Sequence, residues 1–156
     1  MAHSVRTDAQ EILNGFSASI RKAISAKKNY YGSREGAIMV ERFSEKTPLY
    51  AVFIRNGIVR TNLAQFELCQ LPGCCGVAVS YHASTQADFR GLGLGAIMNA
   101  YRLSLAKEMG YGSIVCTTTM ENKTQRKILA DNGWEETFQF TNPKTKHRVL
   151  FFRKDL

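Results

Sequence analysis

The residues best equipped for chemistry form one short run, Arg90-Gly91-Leu92-Gly93-Leu94-Gly95-Ala96. Three alternate glycines strip side chains from the backbone, and an arginine leads in. In a turn that opens a helix, such a run leaves backbone N–H groups bare at the positive end of the helix dipole. That arrangement binds anions, phosphates above all. Just upstream stand Tyr81 and His82. A histidine titrates near neutrality and suits a base that takes a proton from an ammonium group. Strand alternation sends neighbouring side chains to opposite faces of a sheet. At most one of this pair therefore enters a common cleft, unless a bulge breaks the alternation.

These residues need a strand before them and a helix after them. Residues 75–85 are rich in β-branched and aromatic types and predict a strand. Leu94, Ile97, Met98, Tyr101, Leu105 and Met109 recur at helical spacing, so 94–109 predicts an amphipathic helix stopped by Gly110. Further on, 113–119 predicts a β-branched strand, and Asn122-x-x-Gln125 caps a second helix that runs to Asn132 before Gly133. Trp134, Phe138 and Phe140 then fall on one strand face. A turn at Asn142-Pro143-Lys144-Thr145 leads to a last strand at 147–154. Upstream, Thr7-x-x-Gln10 opens a helix whose stripe is Ile12, Phe16, Ile20 and Ile24, followed by a basic, tyrosine-bearing loop at 27–36. Strands are predicted at 37–43, 49–54, 58–62 and 65–71, with turn signals at Asn56-Gly57 and Pro72-Gly73. Antiparallel strands followed by strand–helix–strand make an α/β fold with a mixed, mostly antiparallel sheet flanked by helices.

The chain has 156 residues, of which 44% are hydrophobic and 22% charged, and one domain spanning 1–156 is expected. No apolar run reaches the ~18 residues that span a bilayer, and no charged-then-apolar leader opens the sequence. The expectation is a cytoplasmic protein without a membrane partner. Cys69, Cys74, Cys75 and Cys116 lack the paired spacing of a zinc site, so no metal is expected, and they read as buried free thiols. The net charge of +8 favours anionic partners, nucleic acid among them, although a scattered basic surface serves solubility equally well. Between Thr61 and Ala87 Glu67 is the lone Asp, Glu, Lys or Arg, and this region is expected in the sheet interior.

The run Arg-x-x-Gly-x-Gly at 90–95 resembles the acyl-CoA-binding signature of the GCN5-related N-acetyltransferase (GNAT) family. Asn122, Gly133 and Trp134 match a second feature of that family: an Asn opening a helix, then a Gly and an aromatic eleven and twelve positions later. The resemblance covers 75–153, about half the chain. It implies an acetyl-CoA-dependent N-acetyltransferase acting on an amine of unknown identity. The pyrophosphate would rest on Gly91, Leu92, Gly93, Leu94 and Gly95 with help from Arg90. Pantetheine would lie against the strand edge at Ala83, Ser84 and Thr85, and Asn122 would border the coenzyme. The acceptor amine would attack the thioester directly, without a protein nucleophile.

Departures from the family pattern matter as much. The tyrosine that protonates the leaving thiolate in many members is Leu129 here, and the strand glutamate of others corresponds to Val77. That leaves His82 and Tyr81 as the candidate catalytic residues. The first half of the chain opens with one long helix rather than the family's usual strand. Three other readings stay open. The same glycines fit a dinucleotide pattern, Gly-x-Gly-x-x-Ala, for which Glu121 is only a loose fit to the required acid. The remaining two are a basic nucleic-acid-binding or -modifying protein on the same scaffold, and a non-catalytic coenzyme-A-binding module.

Overall fold

The computed structural model describes residues 22–24, 26, 37–44, 46–56 and 58–156. Most of the expected opening helix, the loop expected at 27–36 and Gly57 of the expected Asn-Gly turn lie outside them. Of the expected helix, Lys22 to Ile24 is helical and Ile24 is fully buried.

Among the described residues, β1 (Ala37–Ser44), β2 (Thr47–Asn56) and β3 (Val59–Gln70) lead to β4 (Val77–Thr85). Then come α1 (Leu94–Glu108), β5 (Ser113–Thr119), α2 (Lys123–Asp131), β6 (Glu135–Thr141) and β7 (Arg148–Asp155). The seven strands form one sheet in the order β1-β2-β3-β4-β5-β7-β6. Every neighbouring pair is antiparallel except β4 and β5. A parallel pair needs a crossover, and α1 supplies it. The mixed, mostly antiparallel sheet with flanking helices is the expected architecture. It also excludes the dinucleotide reading, which requires repeated βαβ units where this chain has antiparallel strands.

β3 is one strand where two short ones are predicted. Val52 faces Ala64 while Phe53 faces Asn62, so Leu63 is an extra, unpaired residue. That bulge interrupts the period-two pattern without ending the strand. A second departure concerns Trp134, which is buried ahead of β6, whereas Phe138 and Phe140 are exposed. A register shift between Glu136 and Phe138 separates them.

The core joins Leu63, Phe66, Leu68, Ala78, Ile114, Leu150 and Phe152 of the sheet to Leu94, Ile97, Met98 and Leu105 of α1. Each of these side chains other than the small Ala78 contributes about 1.5–3 kcal/mol by burial. Met109, at the end of the predicted stripe, is exposed instead. Of the four free cysteines only Cys116 is buried. Cys69 is half-buried, while Cys74 and Cys75 are exposed in the β3–β4 turn, so the burial expectation fails for that pair. Among the described residues no helix is long and apolar enough to cross a membrane.

Candidate active site

β4 and β5 pair over only three rungs, Val77 with Ser113, Ala78 with Ile114 and Val79 with Val115. Beyond Val79 the two strands part. The cause lies on the other edge of β4, where Gln65 of β3 faces Ser84 and Glu67 faces Tyr81. One β3 residue, Phe66, therefore stands opposite two β4 residues, His82 and Ala83. His82 takes a left-handed backbone, φ 50°, which is rare outside glycine and concentrates at functional sites. This bulge bends β4 and opens a slot beside β5.

The bulge also overturns the alternation expected for Tyr81 and His82. Their rings lie edge to face, with centroids 4.9 Å apart, rather than on opposite faces of the sheet. His82 Nδ1 is 2.7 Å from Glu67 Oε1, and the imidazole is 71% exposed. A carboxylate only accepts, so Nδ1 carries a proton toward Glu67, and in the neutral ring Nε2 is then the acceptor. The His82 hydrogen bond holds the Glu67 carboxyl below its usual range, with the Tyr81 hydrogen bond adding to it against some desolvation. The Cys69 thiol donates to the Tyr81 hydroxyl at 3.8 Å. Burial, then the bonds to Cys69 and Glu67, push the Tyr81 phenol up to about 12.

Beyond Thr85 a short 3₁₀ turn, Ala87–Phe89, carries the chain to the glycine run. Gly91 and Gly93 adopt φ 77° and 83°, a backbone most side chains refuse. Gly93 is the N-cap of α1, without a side-chain cap, and the first helical turn holds no acidic residue. The Gly93 carbonyl accepts from Ala96 and Ile97, so the N–H groups ahead of them have no intrahelical partner. Nothing lies within 4 Å of where a Cβ on Gly91 or Gly93 would stand, so the space over this backbone is open. The start of α2 is different: the Asn122 side chain accepts from the Gln125 N–H at 3.1 Å and closes that terminus.

A cleft of about 720 Å³ runs from the glycine turn past α2 to the end of β4. Ala83, Ser84, Thr85, Arg90, Gly91, Gly93, Leu94, Gly95 and Asn122 line it. Leu92 is the exception among the expected coenzyme residues, since its side chain packs against the core. Arg90 Nε donates to the Thr85 carbonyl at 3.3 Å, tying the end of β4 to the turn. The cleft adjoins a slot of about 100 Å³ between the parted strands, walled by Ser80, Tyr81, Ala83, Arg102, Cys116, Thr117, Thr118, Asn122 and Gln125. Tyr81 thus faces the slot, while His82 stands outside it and exposed. Leu129 is fully buried in the core and reaches neither space.

Two groups escaped the sequence reading. Arg102 is 2% exposed and borders both the cleft and the slot. The signal was available, because position 102 falls on the buried stripe, four after Met98 and three before Leu105. Glu67 was noticed as the lone acid of a long uncharged stretch, but its pairing with His82 depends on the β3–β4 register.

No protein-family model matches the chain, and no curated protein matches it by sequence. Similarity appears in three dimensions. A GNAT-family acetyltransferase from Bacillus anthracis superposes with a TM-score of 0.61 over 72% of this chain and 68% of that one, at 12% identity. The Escherichia coli ribosomal-protein-S18-alanine N-acetyltransferase gives 0.58 over 94% and 88%, at 10% identity. A Bacillus subtilis acetyltransferase in complex with CoA gives 0.58 over 78% and 99%, also at 10%. The chain has the fold of the GCN5-related N-acetyltransferases.

Proposed function

We propose that the protein is an acetyl-CoA-dependent N-acetyltransferase that hands an acetyl group directly to an amine. The observation that carries this is the continuity of one cleft from an uncapped, glycine-lined helix terminus to the slot between β4 and β5. The residues fit the coenzyme. Open N–H groups with no acidic residue in the first helical turn suit a pyrophosphate, and Arg90 adds a cation beside them. Ala83, Ser84 and Thr85 present strand backbone to an extended amide-bearing arm. Asn122 borders both spaces.

When bound, the coenzyme supplies an acyl group activated as a thioester. The chain's own residues would do the rest. A backbone N–H at the β4 bulge would donate to the oxygen that gains charge. His82 Nε2, freed for proton uptake by the Glu67 contact at Nδ1, would take the proton of the acceptor amine. Tyr81, at the slot wall, stays a neutral phenol through the physiological range. The acceptor is an amine on a small molecule or a protein, and the cysteines need no role.

The test is thermal unfolding with and without acetyl-CoA. A ligand at 100 times its Kd stabilises the folded state by about 2.7 kcal/mol, which moves Tm by about 5–10 °C in a domain of this size. NADH at the same concentration is expected to do much less. A larger shift with NADH would sink the proposal. Leu129 favours one second reading, a coenzyme-A-binding module without turnover, because the position of the family's proton donor is packed in the core. Acetyl-CoA binding without acetylation of any amine in a broad panel would favour that module.

A further inference from the structure

Among the described residues, Arg102 is a buried cation without an anion. Its Nη1 donates to Ser80 Oγ at 2.7 Å and its Nε to the Met98 carbonyl at 3.1 Å. The guanidinium also stands 5.9 Å from the centre of the Phe66 ring. Among the described residues no carboxylate pairs with it. The titratable group nearest it in effect is the Cys116 thiol, which burial pushes up to about 11 and thus keeps neutral. Burial in turn draws Arg102 down to about 10, so the guanidinium remains charged at neutral pH. An uncompensated charge in such a place is costly unless something else repays it.

The surroundings say what kind of group would. The slot is lined by hydroxyl-, amide- and thiol-bearing residues: Ser80, Tyr81, Thr117, Thr118, Asn122, Gln125 and Cys116. Among the described residues, Arg102 is its single charged lining residue. From Leu94 to Arg102 is eight residues, about 12 Å along α1, a reach suited to an extended pantetheine arm whose phosphates sit at the helix start. We infer that Arg102 faces the coenzyme sulfur and carries the negative charge of the departing thiolate, in place of a proton donor. This rests on the proposed acyl transfer.

The step balances as follows. The amine nitrogen bonds to the thioester carbonyl carbon, the C–S bond breaks, and sulfur keeps the electron pair. The amine proton passes to His82, and the thiolate pairs with the guanidinium without taking a proton from it. Solvent protonates the sulfur later, as free coenzyme A leaves. Tyr81 and Cys116 are the titratable groups that line the slot with Arg102, and both are neutral at this stage. Neither competes for the charge.

The test needs no acceptor. Coenzyme A is bound to the full chain, and its thiolate absorbance is followed against pH. S-methyl-coenzyme A serves as the blank that removes the protein's own cysteines. An opposite charge within ~4–6 Å lowers a titration by about 1–3 pH units. The bound thiol is therefore expected about one pH unit or more below that of coenzyme A free in the same buffer. In Arg102→Met only burial remains, and the titration is expected at or above the free value; Arg102→Lys should restore part of the depression. A wild-type thiol that titrates at or above the free value overturns the assignment. So does a depression that survives in Arg102→Met. If Arg102→Met fails to fold by circular dichroism, the wild type and Arg102→Lys decide. If succinyl-CoA binds far more tightly than acetyl-CoA and Arg102→Met erases the preference, the guanidinium serves an acyl carboxylate and the sulfur assignment falls. If calorimetry detects no binding of coenzyme A, the proposed function itself fails.

Discussion

The two edges of β5 are built to opposite ends. Against β7 it pairs without interruption from Ser113 to Thr119, with Leu150 fully buried and Phe152 nearly so along the partner strand. Against β4 it pairs for three rungs and then stops. Apolar side chains fill the first seam. The second opens onto hydroxyls, amides and a buried guanidinium. A sheet leaves backbone edges unpaired only at some expense, and here the unpaired stretch coincides with the slot. The closed seam holds the molecule together, and the open one holds a space in which an extended ligand can take the missing strand's place. The two helix starts repeat the contrast. Asn122 closes α2 with its own side chain, while Gly93 leaves α1 open.

If this division is right, damage at the open side should cost ligand and damage at the closed side should cost stability. The largest effect is expected from Gly93→Val. No atom lies within 4 Å of the new Cβ, so packing tolerates it. The left-handed backbone costs an L-residue about 1–2 kcal/mol, which leaves a folded protein. The side chain, however, stands over the N–H groups that would hold phosphate. Charge-assisted hydrogen bonds are worth about 1.5–3 kcal/mol each, so losing two should weaken acetyl-CoA binding on the order of 100-fold or more. Calorimetric titration of a variant that unfolds near the wild-type temperature checks this. Normal affinity would make Gly93 a turn residue only.

Leu150→Ala is the counterpart on the closed seam. Removing a fully buried leucine costs about 2–5 kcal/mol through lost burial and the cavity left behind. Chemical denaturation should register that loss, while the acetyl-CoA affinity of the folded fraction stays near wild type. A large fall in affinity with little loss of stability would show that the two seams are not independent.

How much of this was legible beforehand follows the same division. The strand–turn–helix at Val77 to Glu108, the cap at Asn122 and the gathering of nine of the ten expected coenzyme residues along one cleft were readable because each depends on local chemistry: glycine backbone, helical spacing, an N-cap. Features set by register were not. The β4 bulge arises from how β3 meets β4, and no pattern within Tyr81-His82-Ala83 announces it. The Glu67–His82 contact joins residues fifteen positions apart and depends on the same register. Leu63 broke the alternation of β3 and made one strand read as two. Cys74 and Cys75 looked like strand residues and proved to be exposed in a turn. Arg102 was within reach, since helical spacing alone places it among buried neighbours.

The smallest effect expected is at Glu67, and it tests whether the open side includes the bulge chemistry. Glu67 touches neither the cleft nor the slot, and reaches the site only through its hydrogen bonds to His82 and Tyr81. Its carboxyl is held below the usual range chiefly by the His82 hydrogen bond. A group with a depressed folded pKa contributes stability above its unfolded value, about 4.3 for glutamate, and loses it as pH falls through the lower folded value. The wild type should therefore be slightly more stable than Glu67→Gln at neutral pH, and the two curves of Tm against pH should converge in acid. Both side chains are partly exposed, so solvent screening keeps the gap small. On activity, Gln no longer fixes the proton on Nδ1. The rate with a competent amine should fall roughly tenfold, against the ~100-fold or more expected for His82→Ala if His82 is the general base. Acetyl-CoA affinity should hold in both variants. Parallel Tm curves down to acid would mean that the Glu67–His82 contact contributes nothing in solution. A damaging Tyr81→Phe beside a silent His82→Ala would move the proton transfer to the slot wall.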